Sequence, residues 1–135
     1  MNWGQVGLAA LVATVTASLA DWFFFGVLFH GRYKAFPEVW RRPQGGAGEA
    51  KAVAVSAAAG VLTPLVFVAL CAALSILEPG EVLLLAVAVW LIVPVPLLAG
   101  QYLFVKLHPL ITVAHAAGWL VKLLLCAASV ALLMR

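Results

Sequence analysis

Asp21 and Lys122 have ionisable side chains, yet both stand inside runs of otherwise apolar residues, and His115 stands seven positions before the lysine. An ionisable group at the centre of a bilayer costs about 2.5–3.5 kcal/mol on insertion scales, so such groups face a bundle interior or a water-filled cavity. Thr14, Ser18 and Asp21 recur at i, i+4 and i+7, and Thr112, His115, Trp119 and Lys122 are spaced in the same way, so each set occupies one face of a helix. The two polar stripes are expected to point inward and to meet. At 1.5 Å per residue, Asp21 lies ~12 Å, His115 ~8 Å and Lys122 ~18 Å from the same end of the apolar layer, so either base reaches the carboxylate if the two helices are neighbours. Two chemistries fit this pattern. One is a proton-responsive or ligand-binding site of Asp21, His115 and Lys122, with Ser18 and Gln101 beside it; the other is a structural ion pair that fixes helix register.

Other polar and small residues recur at helical spacing. Ser56, Gly60 and Thr63 form a small-residue face, and Pro64 frees a backbone carbonyl, which allows close packing or a kink; helix packing is the expected role of all four. Trp90, Pro94, Leu97 and Gln101 share another face, and Pro94 with Pro96 is expected to distort its helix. Distorted backbone beside Gln101 is tolerated where protein or water satisfies it, which points to a cavity near one membrane surface. Three histidines, His30, His108 and His115, raise haem or chlorophyll ligation, but only His115 lies well inside an apolar run, so no cofactor and no metal are expected. Cys71 and Cys126 lie in apolar runs without CxxC or zinc spacing and read as inert buried thiols. No Ser/His/Asp arrangement, phosphate loop or zinc motif is present, so the chain is not expected to be an enzyme.

The elements that must hold these residues follow from composition. The 135 residues are 66% hydrophobic and 10% charged, where a soluble domain has about 25% charged residues. Mean hydropathy is +1.14. The apolar residues fall into four runs, 6–29, 52–77, 82–105 and 110–134, each longer than the ~20 residues a helix needs to cross a bilayer core. The runs are continuous, not alternating, which excludes a barrel. The expected fold is therefore all-α: one transmembrane domain over residues 1–135, a polytopic four-helix up-down bundle whose first partner is the lipid bilayer. A rival reading makes the first run a secretory signal, with Ser18 and Ala20 as the small residues before a cleavage point, but MNWGQ lacks a basic n-region.

The loop 30–51, HGRYKAFPEVWRRPQGGAGEAK, holds Arg32, Lys34, Arg41, Arg42 and Lys51, and the third loop holds Lys106. By the positive-inside rule both face the cytoplasm, which gives N-out and C-out termini in a bacterial inner membrane. Topology accounts for the basic pI of 9.2, so nucleic acid is not an expected partner. Pro79-Gly80 suits a tight reversal between the second and third helices, and Glu81 suits a helix N-terminus. Phe36, Val39 and Trp40, behind Pro37 and Glu38, fit either a short interfacial helix or an irregular loop with an aromatic anchor, and PQGGAG reads as a flexible linker. There is no internal repeat, which argues against a transporter of two matched halves.

Three stretches, ADWFFFGVLFHGRYKAF, VWLIVPVPLLAGQYLFVK and ITVAHAAGWLVKLLL, together resemble the bacterial membrane-protein family catalogued as domain of unknown function 1761. The matching features are the aromatics from Trp22 to Phe29, Trp90 with Pro94 in the third helix, and Trp119 near the middle of the fourth. The resemblance implies a bacterial four-helix integral membrane protein and no particular activity. The residues themselves support two expectations. The first is a small membrane protein that binds or translocates a small hydrophobic or cationic solute, proton-linked through Asp21 and His115, and acts as a homo-oligomer or alone. The second is a non-catalytic accessory or assembly subunit of a larger membrane complex.

Overall fold

Apolar side chains surround each long run on all sides, and backbone that faces lipid must satisfy its own hydrogen bonds, so the runs become helices. The computed structural model describes residues 2–39 and 46–134, and among these there is no strand. Four helical spans, Trp3–Leu28, Gly48–Leu74, Pro79–Phe104 and Pro109–Leu133, are long and apolar enough to cross a bilayer. The protein is an all-α four-helix bundle of the membrane type, with span bounds within four residues of those read from the sequence.

Three of the four spans are interrupted. The first is α1 (Trp3–Asp21) followed directly by a π-helical stretch, Trp22–Leu28. Phe29 N–H donates to Phe24 O at 3.0 Å, five residues back, and the Phe24 and Phe29 rings stack at 6.2 Å, the neighbour relation a π-turn creates. The second span divides into α2 (Ala47–Gly60) and α3 (Leu62–Leu74). Pro64 has no N–H to give to the Gly60 carbonyl four residues earlier, and the helix breaks at Val61. The third divides into α4 (Pro79–Ile92) and α5 (Pro94–Phe104) for the same reason: Pro94 withdraws the donor from Trp90 O, and the break falls at Val93. The fourth span, α6 (Pro109–Leu133), is unbroken.

The reversal between spans two and three differs from the expectation. Pro79 does not sit in the turn but opens α4, where its missing N–H is one of the orphans of a helix start, and Gly80 is helical. The positive φ belongs to Ser75 (57°), which ends α3 in a left-handed cap with Ile76 N–H on Cys71 O at 3.0 Å. Glu81 lies in the first turn of α4, as its charge favours. In the first loop, 3₁₀ turns at His30–Lys34 and Pro37–Val39 replace a regular interfacial helix. Trp40, Arg41, Arg42 and the start of the expected linker, 43–45, lie outside the described residues, and α2 already begins at Ala47.

The hub of the bundle is α6, which packs on α1, on α4, on α5 and on α3. Its closest partner is α1, through small residues at a four-residue spacing on both sides. On α1 these are Ala9, Ala13 and Ala17; on α6 they are Ala114, Gly118 and Cys126, all buried. Small side chains let two backbones approach, which is what drives helix association where lipid offers no hydrophobic contrast. The main core, with Phe67, Val68, Cys71, Val82, Leu123 and Val130, fills the half of the bundle away from the 30–46 loop. The loop-side half holds the polar groups. Lys106 bonds Glu38 at 2.8 Å and lies 4.8 Å over the Phe36 ring, so the first and third loops meet at one end of the molecule. The Lys106 ammonium holds the exposed Glu38 carboxyl below the ordinary carboxylate range.

Candidate functional site

Continued by one more step of four, the alanine stripe of α1 arrives at Asp21, and the small-residue stripe of α6 contains Lys122 at the matching level. The two side chains form an ion pair across the seam. The pair is lopsided: Lys122 is 6% exposed and Asp21 34%. Lys122 Nζ also lies 5.3 Å from the centre of the Trp119 ring, one turn earlier on α6, which offers the ammonium an aromatic face. Gly60 covers the pair from the second span: a Cβ on it would lie 3.6 Å from Lys122 Nζ and 3.7 Å from Asp21 Oδ2. Pro64, the residue that breaks the span, is buried beside it in sequence, so the carbonyl lacking its helical donor belongs to the glycine next to the charges.

His115 is not the partner of Asp21. Its ring stacks on Phe25 with centroids 4.4 Å apart, and its Nε2 lies 3.1 Å from Tyr33 Oη. The His30–Lys34 turn thus folds back over the end of the first span and places its tyrosine on α6. Burial pushes the Tyr33 phenol up to about 12, so it meets the imidazole as a neutral hydroxyl. Gly118 makes room for this arrangement, because a Cβ there would stand 3.0 Å from Phe25 Cζ. Asp21 and Phe25 on the first span therefore face Lys122 and His115 on α6 as two successive contacts along one seam.

A cavity of about 290 Å³ opens between α5 and α6 on the loop side of this seam, and Gln101, Thr112 and His115 provide its polar wall. Thr112 Oγ1 is buried without a hydrogen-bond partner, as is Thr14 Oγ1. Trp90 Nε1 donates to Ala116 O at 2.8 Å and fixes α4 against α6.

A family profile described as Protein of unknown function (DUF1761) matches residues 8–131. The chain belongs to this family. No curated protein and no solved structure matches it. The DUF1761 match spans every residue of the seam, from Asp21 to Lys122.

Within this DUF1761 chain the residues singled out in the sequence are distributed unevenly. Asp21 and Lys122 meet each other; His115 and Gln101 meet at the cavity; Gly60 sits beside the ion pair, and Pro64 is buried one turn further on. Ser18 is exposed and does not join them. At about 100° per residue, Ser18 stands a quarter-turn off the face defined by Ala17 and Asp21, so the inward stripe of α1 is its alanines and not its hydroxyls. Ser56 is also exposed, and Thr63 is half-buried. The packing of the second span therefore begins at Gly60. His108 caps α6, its Nδ1 accepting from Leu110 N–H at 3.1 Å, and His30 is exposed in the loop. The sequence reasoning passed over Phe25, Tyr33 and Gly118. Gly118 carried a readable signal, since Ala114, Gly118 and Lys122 repeat every four residues; Tyr33 carried none, because its contact spans 82 positions.

Proposed function

We propose that the protein binds or translocates a small hydrophobic or cationic solute, with proton exchange at Asp21 coupled to that step. The observation that carries this reading is the lopsided ion pair: a lysine enclosed by protein is matched by a carboxylate with a third of its surface uncovered. A pair kept only for register gains most when both partners are enclosed and fully bonded. Protonation of Asp21 releases Lys122 from its counter-charge, and the Trp119 face is the group beside it that takes up an ammonium. His115, one contact further along the seam and bordering the cavity, supplies a second titrating group between the pair and the loop-side surface.

Orientation is part of the proposal. Arg32, Lys34, Lys51 and Lys106 gather at the end of the bundle where Lys106 meets Glu38, which supports a cytoplasmic location for that end and a bacterial inner membrane with both termini outside. The test is proton flux in proteoliposomes that carry an internal pH dye, with tetraphenylphosphonium or a neutral aromatic added outside. The wild type should move protons on addition and Asp21→Asn should not. An inert wild type would remove the proposal.

A second reading, a non-catalytic accessory or assembly subunit of a larger membrane complex, is favoured by α2. This helix is rich in Ala and Gly, packs on α3 alone among the elements with substantial contact, and leaves its small residues open to another helix. Under that reading the protein is inert alone and copurifies with a larger membrane complex.

A further inference from the structure

We infer that the α5–α6 cavity is a binding site for a neutral, lipid-soluble molecule with a carbonyl or hydroxyl head. Two of the cavities among the described residues have the same size, about 290 Å³ each, and their chemistry differs. The one between α1 and α6 is bordered by Thr16 and Ser129, and both hydroxyls are already spent on their own helices: Thr16 Oγ1 donates to Val12 O at 2.8 Å and Ser129 Oγ to Leu125 O at 2.9 Å. That cavity is apolar in effect and suits an acyl chain. The α5–α6 cavity is bordered by Thr112, whose buried hydroxyl makes no such bond, together with the Gln101 amide and the His115 ring. A buried hydroxyl without a partner costs about 1–3 kcal/mol in general, and a ligand oxygen on the same wall supplies the missing bond.

The rest of the wall sets the ligand class. Leu98, Val105 and Ile111 make it apolar, and it has no carboxylate, lysine or arginine. Lys106, next in sequence to the lining residues Val105 and Leu107, is engaged by Glu38 and Phe36. The one titratable group on the wall, the His115 imidazole, is already held by Tyr33 and Phe25, so an ion would enter without a free counter-charge and the ligand is neutral. An apolar cavity of about 150 Å³ admits benzene, so twice that volume admits one or two fused rings or a ring with a short tail. Thr112 and His115 lie three and six residues past Pro109, or ~4.5 and ~9 Å below the start of the helix. That is the depth at which an amphiphile rests its polar head while its body lies in hydrocarbon, so the site is loaded from the lipid.

This inference rests on the solute-binding reading only through the shared His115; the cavity needs no titration of Asp21. Three probes of one shape separate the possibilities: 2-naphthol, naphthalene and 2-naphthoate, measured on protein in nanodiscs against empty nanodiscs. The wild type should bind 2-naphthol saturably, naphthalene at least fivefold more weakly, and 2-naphthoate not at all. Thr112→Val and Gln101→Leu should each weaken 2-naphthol about fivefold, the loss of one net hydrogen bond, and leave naphthalene unchanged. Thr112→Ser, which keeps the hydroxyl, should bind as the wild type, as should Thr16→Val and Ser129→Ala at the other cavity. Asp21→Asn should also keep 2-naphthol binding, even if proton flux is lost. The inference is overturned by binding no greater than in empty nanodiscs, by equal affinity for naphthalene and 2-naphthol, by 2-naphthoate as the best ligand, or by loss of binding in Asp21→Asn with Thr112→Val unaffected.

Discussion

Lys122 has three neighbours that matter to its charge: the Asp21 carboxylate, the Trp119 ring and Gly60. Removing the carboxylate leaves an ammonium enclosed by protein, and breaking a buried pair by removing one partner costs roughly 3–5 kcal/mol. Because a third of Asp21 is uncovered, Asp21→Asn is expected at the low end, about 3 kcal/mol, in detergent or nanodisc unfolding. Adding Lys122→Met should restore most of it, whereas His115→Gln should not, since His115 is bonded to Tyr33 and stacked on Phe25. Rescue by the histidine variant alone would reverse the assignment of partners. Tyr33 provides a second check at this scale. Its phenol is raised from 10.0 to about 12 by burial, and an acid with a raised folded pKa contributes its full share below the unfolded value and loses it as pH climbs toward the folded one. Docking of the His30–Lys34 turn should therefore weaken from about pH 10 to 12. An ultraviolet phenolate titration should show a late step near pH 12 that is missing in Tyr33→Phe; a wild type with no such step would mean that Tyr33 is open to water.

Among the elements, α6 works as a rail along which the first span is placed by glycine and alanine. Two glycines at the seam make contrasting demands. Gly118 faces Phe25 Cζ at 3.0 Å from a would-be Cβ, so a methyl there requires the ring, already stacked on His115, to give by a few tenths of an ångström. Gly60 faces the ion pair at 3.6 and 3.7 Å, ordinary contact distances for one methyl. Gly60→Ala should accordingly be near neutral and Gly118→Ala measurably destabilising, while Leu at either site overpacks the seam by about 1–3 kcal/mol or more. Thermal stability of the four variants in one detergent checks the order, and Gly60→Leu as stable as the parent would mean that the second span does not cover the pair. Helix breaks at Val61 and Val93 belong to the same scale. Each is made by a proline that withdraws one donor, and each lies where another span closes against α6.

For the molecule as a whole, the decisive asymmetry is between its ends. Large apolar side chains fill the half away from the 30–46 loop, and the loop-side half holds the ion pair, the Phe25–His115–Tyr33 contact and the polar cavity. The apolar half anchors the bundle, and under the proposed function the other half is the one that binds solute and exchanges protons. Because Glu38 and Lys106 join two loops, that end has a single sidedness in the membrane. With single cysteines introduced into intact cells, Gly46→Cys should be labelled only from the cytoplasmic side by an impermeant maleimide. Labelling from outside would invert the proposed orientation and would place the cavity at the outer leaflet.

The sequence by itself determined the four spans, their all-α character and the distortion at Pro94, because these depend on local quantities: run length against bilayer thickness, and the presence or absence of one N–H; at Pro64 it left packing and a kink open. It also marked Asp21 and Lys122, since a charge inside hydrocarbon is conspicuous wherever the chain goes. Only the tertiary structure decided that Lys122 and not His115 takes the carboxylate, that Ser18 and Ser56 face outward, that the reversal turns at Ser75, and that Tyr33 folds back onto α6. The reason is that a soluble helix announces its buried face by being polar on the other, whereas these helices are apolar all round. What remained to orient them was the spacing of Ala and Gly, and which small-residue stripe meets which is settled only when the backbones close against each other.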